Sequence, residues 1–123
     1  MEEIHTDAAP ASIGPFSQGI RDGDRLFVSG QGPVDPDSGE VVSEDIREQT
    51  AQTLENVSAI LDAGGSSLDR VVKSTVFVTD MSTYDAVNDV YAEYVNEPHP
   101  ARSAVEVADL PIDIGVEIEV IAT

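Results

Sequence analysis

Hydrophobic positions change period several times along the chain, and each change predicts an element. Between 43 and 63, Ile46, Thr50, Leu54, Val57 and Leu61 recur at steps of three and four, with Glu48, Gln52 and Glu55 on the other side. That stripe predicts an amphipathic helix over 43–63. Gly64-Gly65 ends it, because glycine takes the left-handed conformation without a Cβ clash. Over 71–79 the period falls to two and β-branched residues dominate. This predicts a strand with Val72, Ser74, Val76 and Val78 on one face. Ser82-Thr83-Tyr84-Asp85 reads as a capping-box-like start for a second helix with Tyr84, Val87, Tyr91, Tyr94 and Val95 facing the core. Pro98-His99-Pro100 stops that helix. Strands are also expected at 16–20 and 25–29, joined by a hairpin turn at Arg21-Asp22-Gly23-Asp24, and at 102–107 and 116–122.

The order ββαβαββ predicts an α+β fold: one mixed sheet with both helices packed on one face. The first helix can then cross over between parallel strands. This chain supplies nothing to cover the other sheet face. Around 71–79 apolar residues fall on both faces, Val72, Val76 and Val78 on one and Phe77 on the other, which favours packing on other subunits. At 123 residues, with no repeat or linker, residues 1–123 form one domain on this reading. Such a domain buries roughly two-thirds of its unfolded surface and needs no disulfide or metal to fold.

Composition narrows the chemistry. The absence of Cys excludes disulfides, thiolate metal sites and a Cys nucleophile. No apolar run approaches the ~20 residues of a membrane span, and the acidic start Met1-Glu2-Glu3 is no signal peptide. The expected location is the cytoplasm, with no membrane partner. There are 24 acidic residues against six basic ones, for a net charge of −18, and Lys73 is the only lysine. The acids are spread along the chain, so the whole surface is acidic. That suits a halophilic, acidic proteome, because at ~1 M salt the Debye length is about 3 Å and self-repulsion is screened. The melting temperature is therefore expected to rise from dilute buffer to molar KCl. A flat series would remove the idea. The same charge opposes nucleic acid as a partner.

Familiar catalytic patterns such as GxSxG, HExxH and the P-loop are missing. His5 and His99 lie far apart, and His99, between two prolines, reads as an exposed loop residue. At the C-terminal end Arg102, Ala104 and Glu106 share one strand face, and Glu117, Glu119 and Ile121 share another. If the two strands are neighbours, Arg102 and Glu117 can meet. Spacing alone favours a cross-strand ion pair; the other reading is that Arg102 receives a substrate carboxylate while Glu117 handles a water. Ser29 and Gly30 sit where a strand meets a Gly-rich bend, and there Ser29 reads first as a turn-stabilising hydroxyl. Asn88, a poor helix former, lies mid-helix near Tyr84 and Tyr91 and is either solvated or hydrogen-bonded in the fold. The tyrosines read as core.

Longer stretches resemble the Rid (reactive intermediate deaminase, YjgF or L-PSP) family along nearly the whole chain. They are Ala8-Ala9-Pro10, Ile13-Gly14-Pro15-Phe16-Ser17-Gln18, Phe27-Val28-Ser29-Gly30-Gln31-Gly32-Pro33, Leu54-Glu55-Asn56-Val57, Val87-Asn88-Asp89-Val90-Tyr91, Pro100 through Pro111, and Val116-Glu117-Ile118-Glu119. The resemblance implies a chorismate-mutase-like subunit and a homotrimer with clefts between subunits, which would cover the bare sheet face. It implies hydrolysis of 2-imino and 2-enamino acids, such as 2-iminobutanoate and 2-iminopropanoate, to 2-oxo acids and ammonia, with no cofactor or metal. Arg102 matches the family's carboxylate-binding arginine, whose planar fork suits that task, and Glu117 its water-positioning glutamate. Ser29 and Gly30 match the cleft wall, Asn88 a position framing it, and Ala104 a position that is often Cys. Phe16 departs from the usual Tyr, so a larger or more apolar imino acid is expected to be accepted. The same fold also suits a regulatory trimer that binds small carboxylates without turnover. Family members described as RNA-cleaving translation inhibitors supply a third reading, which the charge opposes.

Overall fold

The computed structural model describes all residues, 1–123. Six strands, β1 (Glu2–Ile4), β2 (Gly19–Asp22), β3 (Arg25–Gln31), β4 (Val71–Val78), β5 (Ala101–Glu106) and β6 (Val116–Ala122), form one sheet in the order β1-β2-β3-β6-β4-β5. Helices α1 (Ile46–Ala63) and α2 (Tyr84–Tyr94) pack on it and on each other. All neighbours are antiparallel except β4 and β5, which α2 connects. β3 and β4 both run antiparallel to β6 between them, so α1 also joins parallel strands. This is the expected α+β fold with a mixed sheet.

Local chemistry sets the boundaries. α1 begins at Ile46, three residues later than its stripe suggests, because the Asp45 carboxylate accepts from the Arg47 and Glu48 N–H groups at 2.7 and 3.2 Å. That is the work of an N-cap. At the other end Gly65 has φ +78°, its N–H donates to Asp62, and the Ser66 N–H donates to the Leu61 carbonyl. These two bonds make a Schellman motif. The second helix is capped differently from the expectation. Asp80 Oδ1 accepts from the Ser82 N–H at 2.9 Å within a 3₁₀ turn at Met81–Thr83, and Thr83 makes no side-chain cap.

Leu54, Val57, Ile60 and Leu61 of α1 and Val87 of α2 lie against Val28, Val76, Val78, Val116, Ile118 and Val120 of the sheet. Three expectations need correction. The first hairpin strand lies at Gly19–Asp22 rather than 16–20, with the turn at Gly23 (φ +62°). Val72 leaves the face of Ser74, Val76 and Val78, because the β4–β6 register shifts between Val71 and Lys73; Val71 is buried in its place and Val72 is exposed. The N-terminal strand β1 was not anticipated. The sheet face away from the helices exposes Phe27, Val72 and Val105.

Candidate functional site

Arg102 stands on β5, the edge strand, opposite Ser74 in register. Ser74 faces the helices, where its hydroxyl meets Tyr91 Oη at 2.8 Å in the interior. The guanidinium therefore projects towards α2. There Tyr84, Asn88 and Tyr91 occupy one helix face at steps of four and three. Nη2 donates to Tyr84 Oη at 2.9 Å and to Asn88 Oδ1 at 2.7 Å. The guanidinium carbon lies 4.7 Å from the Tyr91 ring centre and 5.6 Å from that of Tyr84, within cation–π range. Both hydrogen bonds use Nη2, which leaves the donors on Nη1 and Nε for a ligand. An open cavity of about 270 Å³ adjoins it, lined by Asn88, Tyr91, His99 and Pro100 among others. Asn88 thus takes the hydrogen-bonding role rather than a solvated one. Tyr84 and Tyr91 build the seat of the arginine, which a reading of them as core alone missed; their spacing around Asn88 was the available signal. Hydrogen bonding to Asn88, then the hydrogen bond and charge of Arg102, hold the Tyr84 phenol below its ordinary pKa.

Glu117 lies elsewhere. On β6 it pairs with Phe77, whereas the flanking Val116 and Ile118 pair with Val78 and Val76 and face the helices. Glu117 therefore occupies the opposite sheet face from Arg102. The strands are also not neighbours, since β4 lies between β5 and β6. The intrachain Arg102–Glu117 ion pair is thereby excluded, and so is their meeting within one subunit.

The surroundings of Glu117 form a second cavity of about 320 Å³, lined by Phe16, Ile13, Gly30, Gly32 and Ile112 among others. Gly30 is required by proximity: a Cβ there would sit 2.8 Å from Glu117 Cδ. The Ser29 hydroxyl donates to the Ser17 carbonyl at 2.6 Å, and the Ser29 N–H to the Gln18 carbonyl at 2.9 Å. Ser29 thus braces the segment that carries Phe16. Gln18, buried, continues the bracing: its amide accepts from the Thr6 N–H and donates to the carbonyls of Thr6 and Pro10. Ala104, half-buried on the helix-facing side of β5, packs against the core.

Burial, and then the charge of Glu119, push the Glu117 pKa above the ordinary carboxylate value. The folded state therefore holds this proton more tightly than the unfolded chain does. Between the ordinary and the raised pKa, stability falls as pH rises, and above the raised value a constant cost remains. Glu117→Gln is accordingly expected to be more stable than wild type at pH 7, by a modest amount because the group is only half-buried. The gap should close near pH 4. Thermal melts of both proteins from pH 4 to 8 check this, and a constant gap would contradict it.

Residues 6–123 match the family model described as endoribonuclease L-PSP. A RutC family protein of Pyrococcus horikoshii is 54% identical over 98% of this chain and 96% of its own. The 2-iminobutanoate/2-iminopropanoate deaminase of Salmonella typhimurium is 48% identical over 97% of this chain and 94% of its own. The crystal structure of Escherichia coli TdcF with bound serine superposes with a TM-score of 0.94 at 42% identity, covering 99% of this chain and 98% of that one.

Proposed function

The chain belongs to the endoribonuclease L-PSP family, that of the Rid and YjgF proteins, and from that premise we propose that it hydrolyses 2-imino and 2-enamino acids, 2-iminobutanoate and 2-iminopropanoate among them. The reaction adds water across the C=N bond of R–C(=NH)–COO⁻ and releases R–CO–COO⁻ and NH₃. Arg102 grips the carboxylate through the donors its own chain leaves unused. Glu117, as the carboxylate, takes a proton from the attacking water and returns it to the departing nitrogen. Burial, which raises its pKa, makes it a stronger base than an ordinary carboxylate. Gly30 gives Glu117 its room, Ser29 and Phe16 shape the wall beside it, and Asn88 and the backbone at Ala104 frame the arginine.

One observation carries the mechanism: Arg102 and Glu117 stand on opposite faces of one sheet. A site containing both forms only where Arg102 of one subunit approaches Glu117 of the next. A homotrimer closing over the exposed Phe27, Val72 and Val105 meets that need and covers the bare face. The bound serine of the TdcF structure, a small amino acid with a carboxylate, supports the substrate class. The test generates the imine in situ with a serine or threonine dehydratase and follows the 2-oxo acid. Catalytic amounts of the protein should accelerate its appearance. Binding of 2-oxo acids without acceleration would favour the regulatory trimer instead.

A further inference from the structure

Tyr84 brings more than its ring to the arginine. Nη2 of Arg102 gives one proton to Tyr84 Oη at 2.9 Å and the other to Asn88 Oδ1 at 2.7 Å. The phenol oxygen is the acceptor in that bond, so its own proton remains to be given, and no nitrogen or oxygen of the chain takes it. Tyr91 differs. It is buried, and its hydroxyl is spent on Ser74 at 2.8 Å. Only its ring, 4.7 Å away, is left for the guanidinium. Tyr84 opens α2 and is half-buried, so its hydroxyl can meet a ligand held by Arg102. Hydrogen bonding to Asn88, then the hydrogen bond and charge of Arg102, lower the pKa of this phenol. An O–H polarised in this way is a stronger donor.

A guanidinium grips a carboxylate along an edge, with two parallel N–H groups on the two oxygens. The two edges that can do this, Nε with Nη2 and Nη1 with Nη2, share Nη2. Each edge of Arg102 is therefore already half filled from α2. A carboxylate oxygen that takes the open donor of an edge comes within hydrogen-bond reach of the oxygen seated on Nη2. On the Asn88 edge that neighbour is an amide carbonyl oxygen, which can only accept, and the two oxygens repel. On the Tyr84 edge the neighbour is a phenol with a proton to give. Resting on the deaminase reading above, we propose that Tyr84 is a second carboxylate-binding residue, whose hydroxyl accepts from Arg102 and donates to the substrate carboxylate. Together the two restore the two-point grip that neither edge of Arg102 offers alone. Arg102 supplies the charge, and Tyr84 decides which edge the ligand takes.

The test measures calorimetric binding of 2-oxobutanoate at pH 6, where the phenol keeps its proton, and pairs it with the imine assay. Tyr84→Phe keeps the ring and loses the hydroxyl. It should bind the oxo acid about tenfold to a hundredfold more weakly, the worth of one hydrogen bond to a charged group. For the imine, KM should rise by a similar factor while kcat stays within about twofold, because the carboxylate is held alike in the ground and transition states. Placing 3-fluorotyrosine at position 84 separates the two duties of the hydroxyl, since fluorination makes a phenol a stronger donor and a weaker acceptor. A hydroxyl that donates to the ligand then binds 2-oxobutanoate more tightly than wild type does. Binding no tighter than wild type would show that the hydroxyl serves Arg102 alone and would overturn the proposal, as would wild-type affinity in Tyr84→Phe. Either result leaves the deaminase reading standing as long as the wild type hydrolyses the imine. A wild type that neither binds the oxo acid nor hydrolyses the imine would overturn both.

Discussion

Arg102→Ala is expected to lower kcat/KM for imine hydrolysis by about a hundred- to a thousandfold. A carboxylate on a guanidinium in a closed cleft contributes about 3–4 kcal/mol, and each 1.4 kcal/mol is about tenfold. Arg102→Lys should recover little of the loss, since an ammonium cannot reproduce the planar donors that reach Tyr84 and Asn88 while holding a ligand. Folding should hardly change, because Arg102 is half-exposed and such contacts contribute at most ~1 kcal/mol. The removal has its own spectroscopic mark. Arg102 helps to keep the Tyr84 phenol acidic, so its phenolate absorbance should appear at higher pH in the variant. Full activity in Arg102→Ala would remove the site assignment.

Asn56→Leu is expected to cost about 2–4 kcal/mol of stability, or a melting temperature lower by roughly 10 °C. Asn56 is 1% exposed, and its Nδ2 donates to the carbonyls of Gly32 and Val34, each at 2.9 Å. Its Oδ1 accepts from Gln52 at 2.9 Å. Leucine matches its size but strands both carbonyls. Because Gly32 and Val34 line the cavity beside Glu117, activity below the melting point should fall too. Chemical denaturation read together with the imine assay checks both effects. A variant as stable as wild type would show that the loop is held by other means.

The elements of the fold were unequally legible in the chain. The long stripe of α1 and the alternation of β6 announced themselves, because periodicity persists over 18 and seven residues. β1 did not, since Glu2-Glu3-Ile4 holds one apolar residue and borrows its conformation from pairing with β2. Val72 misled because an irregular register near the start of β4 reverses which valine is buried, and register belongs to the partner strand. Arg102 and Glu117 were identifiable as residues, but their separation was not. Strand order decides it, and β6 enters between β3 and β4 only once the whole sheet is assembled. The role of Tyr84 and Tyr91 needed the same assembly, since nothing local says that β5 lies beside α2.

Strand order and register place Arg102 and Glu117 on opposite faces of one subunit, so on the proposed mechanism catalysis is a property of the assembly. Mixing inactive subunits measures this directly. Arg102→Ala and Glu117→Gln proteins, each silent alone, are unfolded together, refolded and assayed. A subunit keeping Glu117 beside one keeping Arg102 restores an intact site, so the mixture should regain about a quarter of wild-type activity if subunits combine at random. A mixture that exchanges subunits yet stays as inactive as its parents would contradict a shared site.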